Sequence, residues 1–240
     1  QTLSLVMFYA PVENGRQGAA TEEMQMLSGT HYYNPYWGYQ NGQKRNASIG
    51  KTRMPLAILS DEFKINENTI LITAAGYTFG TRSVSGIDWY NAPDPRPDYY
   101  KYLPSYQTDS LLQQIVAQRF LSDETLCQIN WQRLYDVNRS NFQTVYNING
   151  IPGNTITGNR SLYILQNRMM HTDKINFSST INSRMNNHAY FTAGFNYQWQ
   201  KNHYYQQLED LLGGDFYIDL NQFAEQDFPN DPNAIQNDLN

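Results

Sequence analysis

The sequence predicts an all-β chain: about five antiparallel, up-and-down strands that form a segment of a transmembrane β-barrel, with long extracellular loops containing short helices. Three observations carry this expectation. The stretch AYFTAGFNYQWQ at 189–200 sets Phe191, Ala193, Phe195, Tyr197 and Trp199 against Thr192, Gly194, Asn196, Gln198 and Gln200, and strict alternation is the signature of a strand whose two faces meet different surroundings. The polar face carries neutral amides, hydroxyls and glycine rather than the Lys and Glu of a soluble sandwich, as the lumen side of a membrane barrel does. Only 16% of the 240 residues are charged, against about 25% in a soluble domain. The connections, finally, are of two very unequal lengths.

Each element follows from local pattern. Leu3 to Tyr9 reads as a short apolar strand stopped by Pro11, and a second strand runs from about Lys51 to Lys64 with Pro55 marking an irregularity near its start. The third, Thr69 to Gly80, alternates Leu71, Thr73, Ala75, Tyr77 and Phe79 with Ile72, Ala74, Gly76 and Thr78. The fourth spans about Arg160 to Arg184, where Ile175, Phe177, Ser179 and Ile181 alternate with Asn176, Ser178, Thr180 and Asn182, and the fifth runs from Ala189 to about Tyr205. Tight polar turns at 65–68 and 185–188 join strands two to three and four to five, whereas the connections near 10–50, 81–159 and 206–240 are far longer. Structureless connections beyond about 12–15 residues are uncommon in compact soluble domains, and short turns at one end with long loops at the other suit an outer-membrane barrel. In the middle connection, Thr108-Asp109-Ser110 is placed to cap a helix carrying Leu111, Leu112, Ile115, Val116 and Phe120, and a second helix capped at Ser122 would carry Leu126, Ile129, Leu134 and Tyr135. These helices are expected to give the loop a small core of its own.

Several classes are excluded. A net charge of −5 is the wrong sign for a nucleic-acid protein, which needs a cationic footprint on phosphates. The single cysteine, Cys127, rules out an intramolecular disulfide framework or a multi-cysteine zinc site and is expected to be a small buried hydrophobe. The longest apolar run, Leu3 to Ala10, is interrupted by Ser4 and falls far short of the about 20 residues of a membrane helix, whereas a tilted strand crosses with about 9–11. Gln1 opens without an initiator Met or a leader pattern, so the chain is expected to be an internal piece of a longer polypeptide.

Catalytic signals are absent: His31, His171, His188 and His203 are dispersed, and no HExxH, GxSxG, GxGxxG or phosphate loop occurs. No cofactor, metal or enzymatic activity is expected. The carboxylate-rich runs Asp94-Pro95-Arg96-Pro97-Asp98 and Asp227-Phe228-Pro229-Asn230-Asp231-Pro232 are read as rigid loop shapes rather than calcium sites, because each Xaa-Pro pair restricts the residue before it, with Arg96 pairing to Asp94 or Asp98. Aromatic pairs cluster where strands give way to long loops: Tyr32-Tyr33, Tyr36-Trp37, Trp89-Tyr90, Tyr99-Tyr100 and Tyr204-Tyr205. Tyr and Trp favour the membrane–water boundary, and their exposed faces also stack on sugars and other planar ligands. The expected ligand contacts are therefore Tyr33, Trp37, Trp89, Tyr90, Arg96, Asp98, Tyr99 and Tyr100.

Three segments, HYYNPYWGYQNGQKRN at 31–46, IDWYNAPDPRPDYYKYLPSYQ at 87–107 and YYQQLEDLLGGDFYIDLNQFAEQDFPNDPNAIQNDLN at 204–240, resemble loop segments of the TonB-dependent receptors of bacterial outer membranes, in the subgroup with an N-terminal carboxypeptidase-regulatory-like domain. The resemblance extends over essentially the whole chain. It implies part of a 22-stranded barrel plugged by a separate domain, localised to the outer membrane and active in energy-coupled nutrient uptake. The implied partners are the rest of the barrel and its plug, outer-membrane lipid and the inner-membrane TonB complex reached through the N-terminal part that this chain lacks; the resemblance leaves open whether a surface lipoprotein caps the barrel. Plug and TonB-contacting residues match no position here, and about five strands cannot close a barrel, since an open edge in lipid leaves backbone groups without partners. The alternative is a secreted carbohydrate-binding β-sandwich, which would bury Phe191, Phe195, Tyr197 and Trp199 against a second sheet. A glycoside hydrolase using Asp94 and Asp98 as its acid pair is the remaining reading.

Overall fold

The structure, a computed structural model, describes residues 1–220, 222–230 and 238–239. In chain order the elements are β1 (Thr2–Phe8), β2 (Val12–Gly15), α1 (Glu22–Ser28), β3 (Trp37–Gln40), β4 (Gln43–Asn46), β5 (Ile49–Arg53), β6 (Leu56–Asn66), β7 (Thr69–Trp89), α2 (Ser110–Ser122), α3 (Trp131–Ser140), β8 (Phe142–Tyr146), β9 (Thr155–Asn159), β10 (Tyr163–Arg184), β11 (Tyr190–Asp210), β12 (Ile218–Asp219), α4 (Gln222–Asp227) and β13 (Asp238–Leu239). Short 3-10 turns at 100–102, 104–106, 124–127 and 148–150 complete it. The chain is mostly β, with antiparallel pairing in its sheets. It divides into two compact units: residues 1–14, 50–84 and 168–206, and residues 15–49, 85–167 and 207–240.

The first unit is a single-layer sheet. Strand order is β1-β6-β7-β10-β11, with β5 also pairing β7 and β2 pairing β5. Among the described residues the sheet is open, and β1 and β11 form the two ends of the path. The turns at 66–69 and 185–189 lie side by side, because Arg184 N donates to Asn68 O at 2.8 Å. The three long connections leave the other strand ends.

Directly opposed residues project to one face, so the register sorts the side chains. Leu5, Leu59 and Ala75 share a face with Met7, Ala57 and Tyr77. That face continues across β10, where Tyr77 Oη donates to Asp173 Oδ1 at 2.7 Å and Thr73 Oγ1 meets Ser179 Oγ at 3.0 Å. It reaches β11 where the Phe177 and Phe195 rings approach to 6.5 Å. Over β10 and β11 the opposite face holds hydroxyls and amides, where Thr172 Oγ1 donates to Asn202 Oδ1 and Thr192 Oγ1 to Asn182 Oδ1, both at 2.9 Å; over β1, β6 and β7 it also carries Val6, Phe8, Leu56, Ile58 and Ile72. Among the described residues of this unit, the apolar face has no layer packed on it. Leu5 is 65% exposed, Phe195 62% and Trp199 43%, and the only buried residues of this unit among those described are Ser83 and Thr172.

Three boundaries differ from the sequence expectation, one of them the end of β11, which lies at Asp210 rather than near Tyr205. The second strand is interrupted at Met54-Pro55, dividing it into β5 and β6, because Pro55 has no N–H for the ladder. Opposite it Gly80 adopts φ +134°, and a Cβ there would lie 2.1 Å from Arg53 O. β7 then runs on to Trp89, past the expected end at Gly80. Gly80 and Gly86 read as breakers in a sequence, whereas one supplies a backbone shape and the other simply remains in the strand.

Among the described residues, the buried apolar residues that form clusters lie in the second unit. One cluster joins Ala47, Ile129, Trp131, Leu134, Tyr163 and Leu212; another joins Met24, Leu27, Tyr33, Leu103, Phe120 and Cys127; a third joins Ile148, Phe216 and Ile218. The long connections thus pack with one another rather than each on itself. Asn138, fully buried in α3, ties them further: its Nδ2 donates to Tyr163 O, Leu211 O and Leu212 O at 2.8, 2.9 and 3.1 Å, and its Oδ1 accepts from Leu162 N and Tyr163 N. Arg45 contributes a second tie, donating to Asp210 Oδ2 at 2.7 Å with its guanidinium 4.3 Å from the Trp131 ring centre. The carboxylate-rich run at 227–232 lies partly outside the described residues.

Candidate functional site

The helix α2 begins where the sequence places it. Asp109 accepts from Leu111 N and Leu112 N at 2.8 and 3.0 Å, satisfying two of the donors a helix leaves free at its start. The next helix starts later than expected. Asp123 rather than Ser122 caps a 3-10 turn at 124–127, and Asn130 caps α3 by accepting from Arg133 N at 2.9 Å. The break places Thr125, Leu126, Gln128 and Asn130 along one side of a cavity whose other walls are α2, α3 and the Pro93–Pro97 segment.

This cavity has a volume of about 360 Å³, within the range of small-ligand sites. Its apolar lining comes from Val116, Phe120, Leu126 and Leu134 with the prolines at 93, 95 and 97, and its charge from Asp94, Arg96, Arg119 and Arg133. The proline segment is rigid for the expected reason. Asp94 accepts from Arg96 N at 2.9 Å and from Arg96 Nε and Nη2, so the pair closes on itself within three residues. Two tyrosines brace the segment from outside: Tyr102 Oη donates to Asp94 O at 2.9 Å and Tyr163 Oη to Pro93 O at 2.7 Å. Burial raises both phenol pKa values above the ordinary range, with Asp94 adding to the rise and Arg133 opposing it.

The eight residues singled out in the sequence have distinct surroundings. Arg96 lines the cavity and stacks its guanidinium 5.5 Å from the Trp89 ring centre. Tyr99 and Tyr100 join Tyr102 and Tyr106 in edge-to-face pairs at 4.8 to 5.3 Å, with Lys101 Nζ beside the first two rings. Tyr33 is 4% exposed within a core cluster and Trp37 contacts Tyr39 edge-on; both line a second cavity next to Cys127. Tyr90 donates to Glu225, and burial followed by that bond pushes its pKa up to about 12. Asp98 is half-buried, and burial raises its carboxyl above the usual range although Arg96 pulls the other way. Burial also holds the Tyr33 phenol and the Cys127 thiol in their neutral forms.

Arg119 and Arg133 were not among those eight. Each lies on a helix face exposed to solvent, the ordinary place for an arginine, so no local pattern marks them; only the approach of α2, α3 and the proline segment makes them neighbours. No protein-family model, curated protein or solved structure matches this chain. Among the described residues no helix is long and apolar enough to cross a membrane, which leaves strands untested, and no group of three His, Cys, Asp or Glu side chains is gathered to hold a metal ion.

Proposed function

We propose that this chain contributes barrel wall and ligand-capturing surface loops to an outer-membrane, energy-coupled nutrient-uptake receptor. The supporting observation is the distribution of apolar side chains. In the second unit Leu, Ile, Phe and Trp residues are buried together, while in the sheet Leu5, Leu59, Phe177, Phe195 and Trp199 are exposed along one face, opposite a face whose β10–β11 part carries amides and hydroxyls. Burying a Leu or Phe side chain is worth about 1.5–3 kcal/mol, and contiguous apolar patches of this extent mark contact with lipid or a partner. Hydrocarbon against this face supplies what a second sheet would supply in a sandwich. The strands have the length for it: β7, β10 and β11 have 21, 22 and 21 residues, roughly twice the 9–11 of a membrane crossing.

On this reading further strands pair with β1 and β11, because unpaired backbone at a sheet edge is not tolerated in lipid. A plug domain occupies the lumen, the TonB complex drives transport, and the loops capture a nutrient, with a surface lipoprotein as a further partner. Fractionation of the full-length protein tests the proposal. Recovery in the outer membrane, released only by detergent, is expected; recovery as a soluble monomer overturns it. Growth of a deletion strain on a panel of nutrients then identifies the cargo.

A further inference from the structure

The cavity between the proline segment and α2–α3 has an unbalanced set of hydrogen-bonding groups. Its one carboxylate, Asp94, is already spent on Arg96, and the hydroxyl protons of Tyr102 and Tyr163 are spent on backbone carbonyls. Asn130 uses its oxygen on Arg133 N, which leaves its NH₂ available. The guanidinium groups of Arg119 and Arg133 and the amide of Gln128 have no hydrogen-bond or ion-pair partner among the described residues. Asp123, the acid nearest to Arg119 along α2, is committed to Thr125 N and Oγ1 at 3.0 and 2.6 Å. What remains toward the cavity is two guanidinium groups without a hydrogen-bonded partner, the amides of Gln128 and Asn130, and the acceptor lone pairs of the Tyr102, Tyr163 and Thr125 hydroxyls; Asp123 offsets part of the Arg119 charge.

Apart from Thr125, the remaining lining is apolar. Val116, Phe120, Leu126, Leu134 and the three prolines carry no polar side-chain group. Two guanidinium groups beside such a surface match a planar oxyanion that can accept paired N–H bonds, attached to a body that gains by leaving water.

We propose that this cavity is a binding site for a small organic carboxylate with an apolar or aromatic body, recognised by Arg119 and Arg133. Its use as a capture point for uptake rests on the receptor reading above, whereas the binding itself does not, so the test measures binding alone. Full-length protein is purified in detergent micelles and titrated calorimetrically with phenylacetate, phenylacetamide and glucuronate. Saturable binding of phenylacetate, at least about tenfold tighter than the neutral amide and weakened by added salt, is expected. Arg119→Gln and Arg133→Gln should each weaken phenylacetate by about tenfold and leave phenylacetamide unchanged; Arg133→Lys should recover part of the loss, because it restores the charge without the planar fork. Equal binding of acid and amide, or no saturable binding of phenylacetate, overturns the proposal, as does glucuronate binding more tightly than phenylacetate. These comparisons on the unaltered protein decide the matter even if a variant fails to fold. Failure here with the protein still in the outer membrane removes only the site; recovery in the soluble fraction removes the receptor reading.

Discussion

The claim that lipid covers one face of the sheet can be tested with neighbouring residues on one strand. Phe195 and Asn196 are adjacent on β11 and therefore project to opposite faces; Phe195 is 62% exposed with its ring 6.5 Å from Phe177. If hydrocarbon covers this face, Phe195→Arg loses the burial of an aromatic ring, about 1.5–3 kcal/mol, and places a guanidinium near the bilayer midplane at about 2–4 kcal/mol. The combined expectation is about 4–7 kcal/mol, a large part of the stability of an ordinary protein. Asn196→Arg, on the face of amides and hydroxyls, should change stability by less than about 1 kcal/mol. The assay has two readouts: the amount of full-length protein in the outer membrane, and denaturant unfolding in lipid vesicles followed by tryptophan fluorescence. On a face exposed to water, the same Phe195→Arg change would shift stability by only about 0.5 kcal/mol. Equal behaviour of the two variants, or a more severe effect at Asn196, would refute the assignment of faces.

Three further outcomes concern the second unit. Asn138→Leu removes five hydrogen bonds to buried backbone groups and should cost about 3–5 kcal/mol locally, read as faster hydrogen exchange at 160–165 and 211–212 with the turn at 185–189 unchanged. Cys127 is buried and its thiol is held neutral by burial, reinforced by Glu124 and Asp123, so it should resist iodoacetamide in the native protein and react in denaturant. Asp98 has its pKa raised above 3.8, mainly by burial. A raised carboxyl stabilises the fold at pH below its unfolded value and loses that contribution as the pH rises through the folded value, so Asp98→Asn should gain stability at neutral pH and flatten the pH dependence just above 3.8. A loss at neutral pH would show that the ionised carboxylate is needed.

Contacts between residues close in sequence were legible before the structure. The Asp109 cap spans two or three residues, and the Arg96–Asp94 pair spans two, so residue type and spacing were enough. The tight turns and the alternation on β10 and β11 were legible for the same reason: period two is a local property. What escaped is non-local. Arg45 and Asp210 are 165 residues apart, and Asn138 looks like an ordinary helix-interior amide until the carbonyls of Tyr163, Leu211 and Leu212 converge on it. Tyr33 illustrates the same limit, because an aromatic pair in a loop reads alike whether it faces a ligand or closes a core; here Met24, Leu103 and Phe120 surround it. Only packing distinguishes the two.

The two units treat the same residue types in opposite ways, which explains why composition alone is a poor guide to this chain. Trp131 is fully buried and Trp199 is 43% exposed, yet both are Trp in a polar neighbourhood of sequence. Trp131 begins a helix whose Leu134 and Asn138 lie on the same face at three- and four-residue spacing, so one side of the helix can be enclosed by the chain itself. Trp199 ends a run in which every second residue is aromatic or small, a pattern that produces a flat apolar surface. A helix face of that width can be covered by a loop, whereas the apolar stretches of a five-stranded sheet need a covering layer of larger area. On the proposed receptor reading, a bilayer covers the face of Leu5, Phe195 and Trp199 and a filled lumen meets the amides and hydroxyls of β10 and β11.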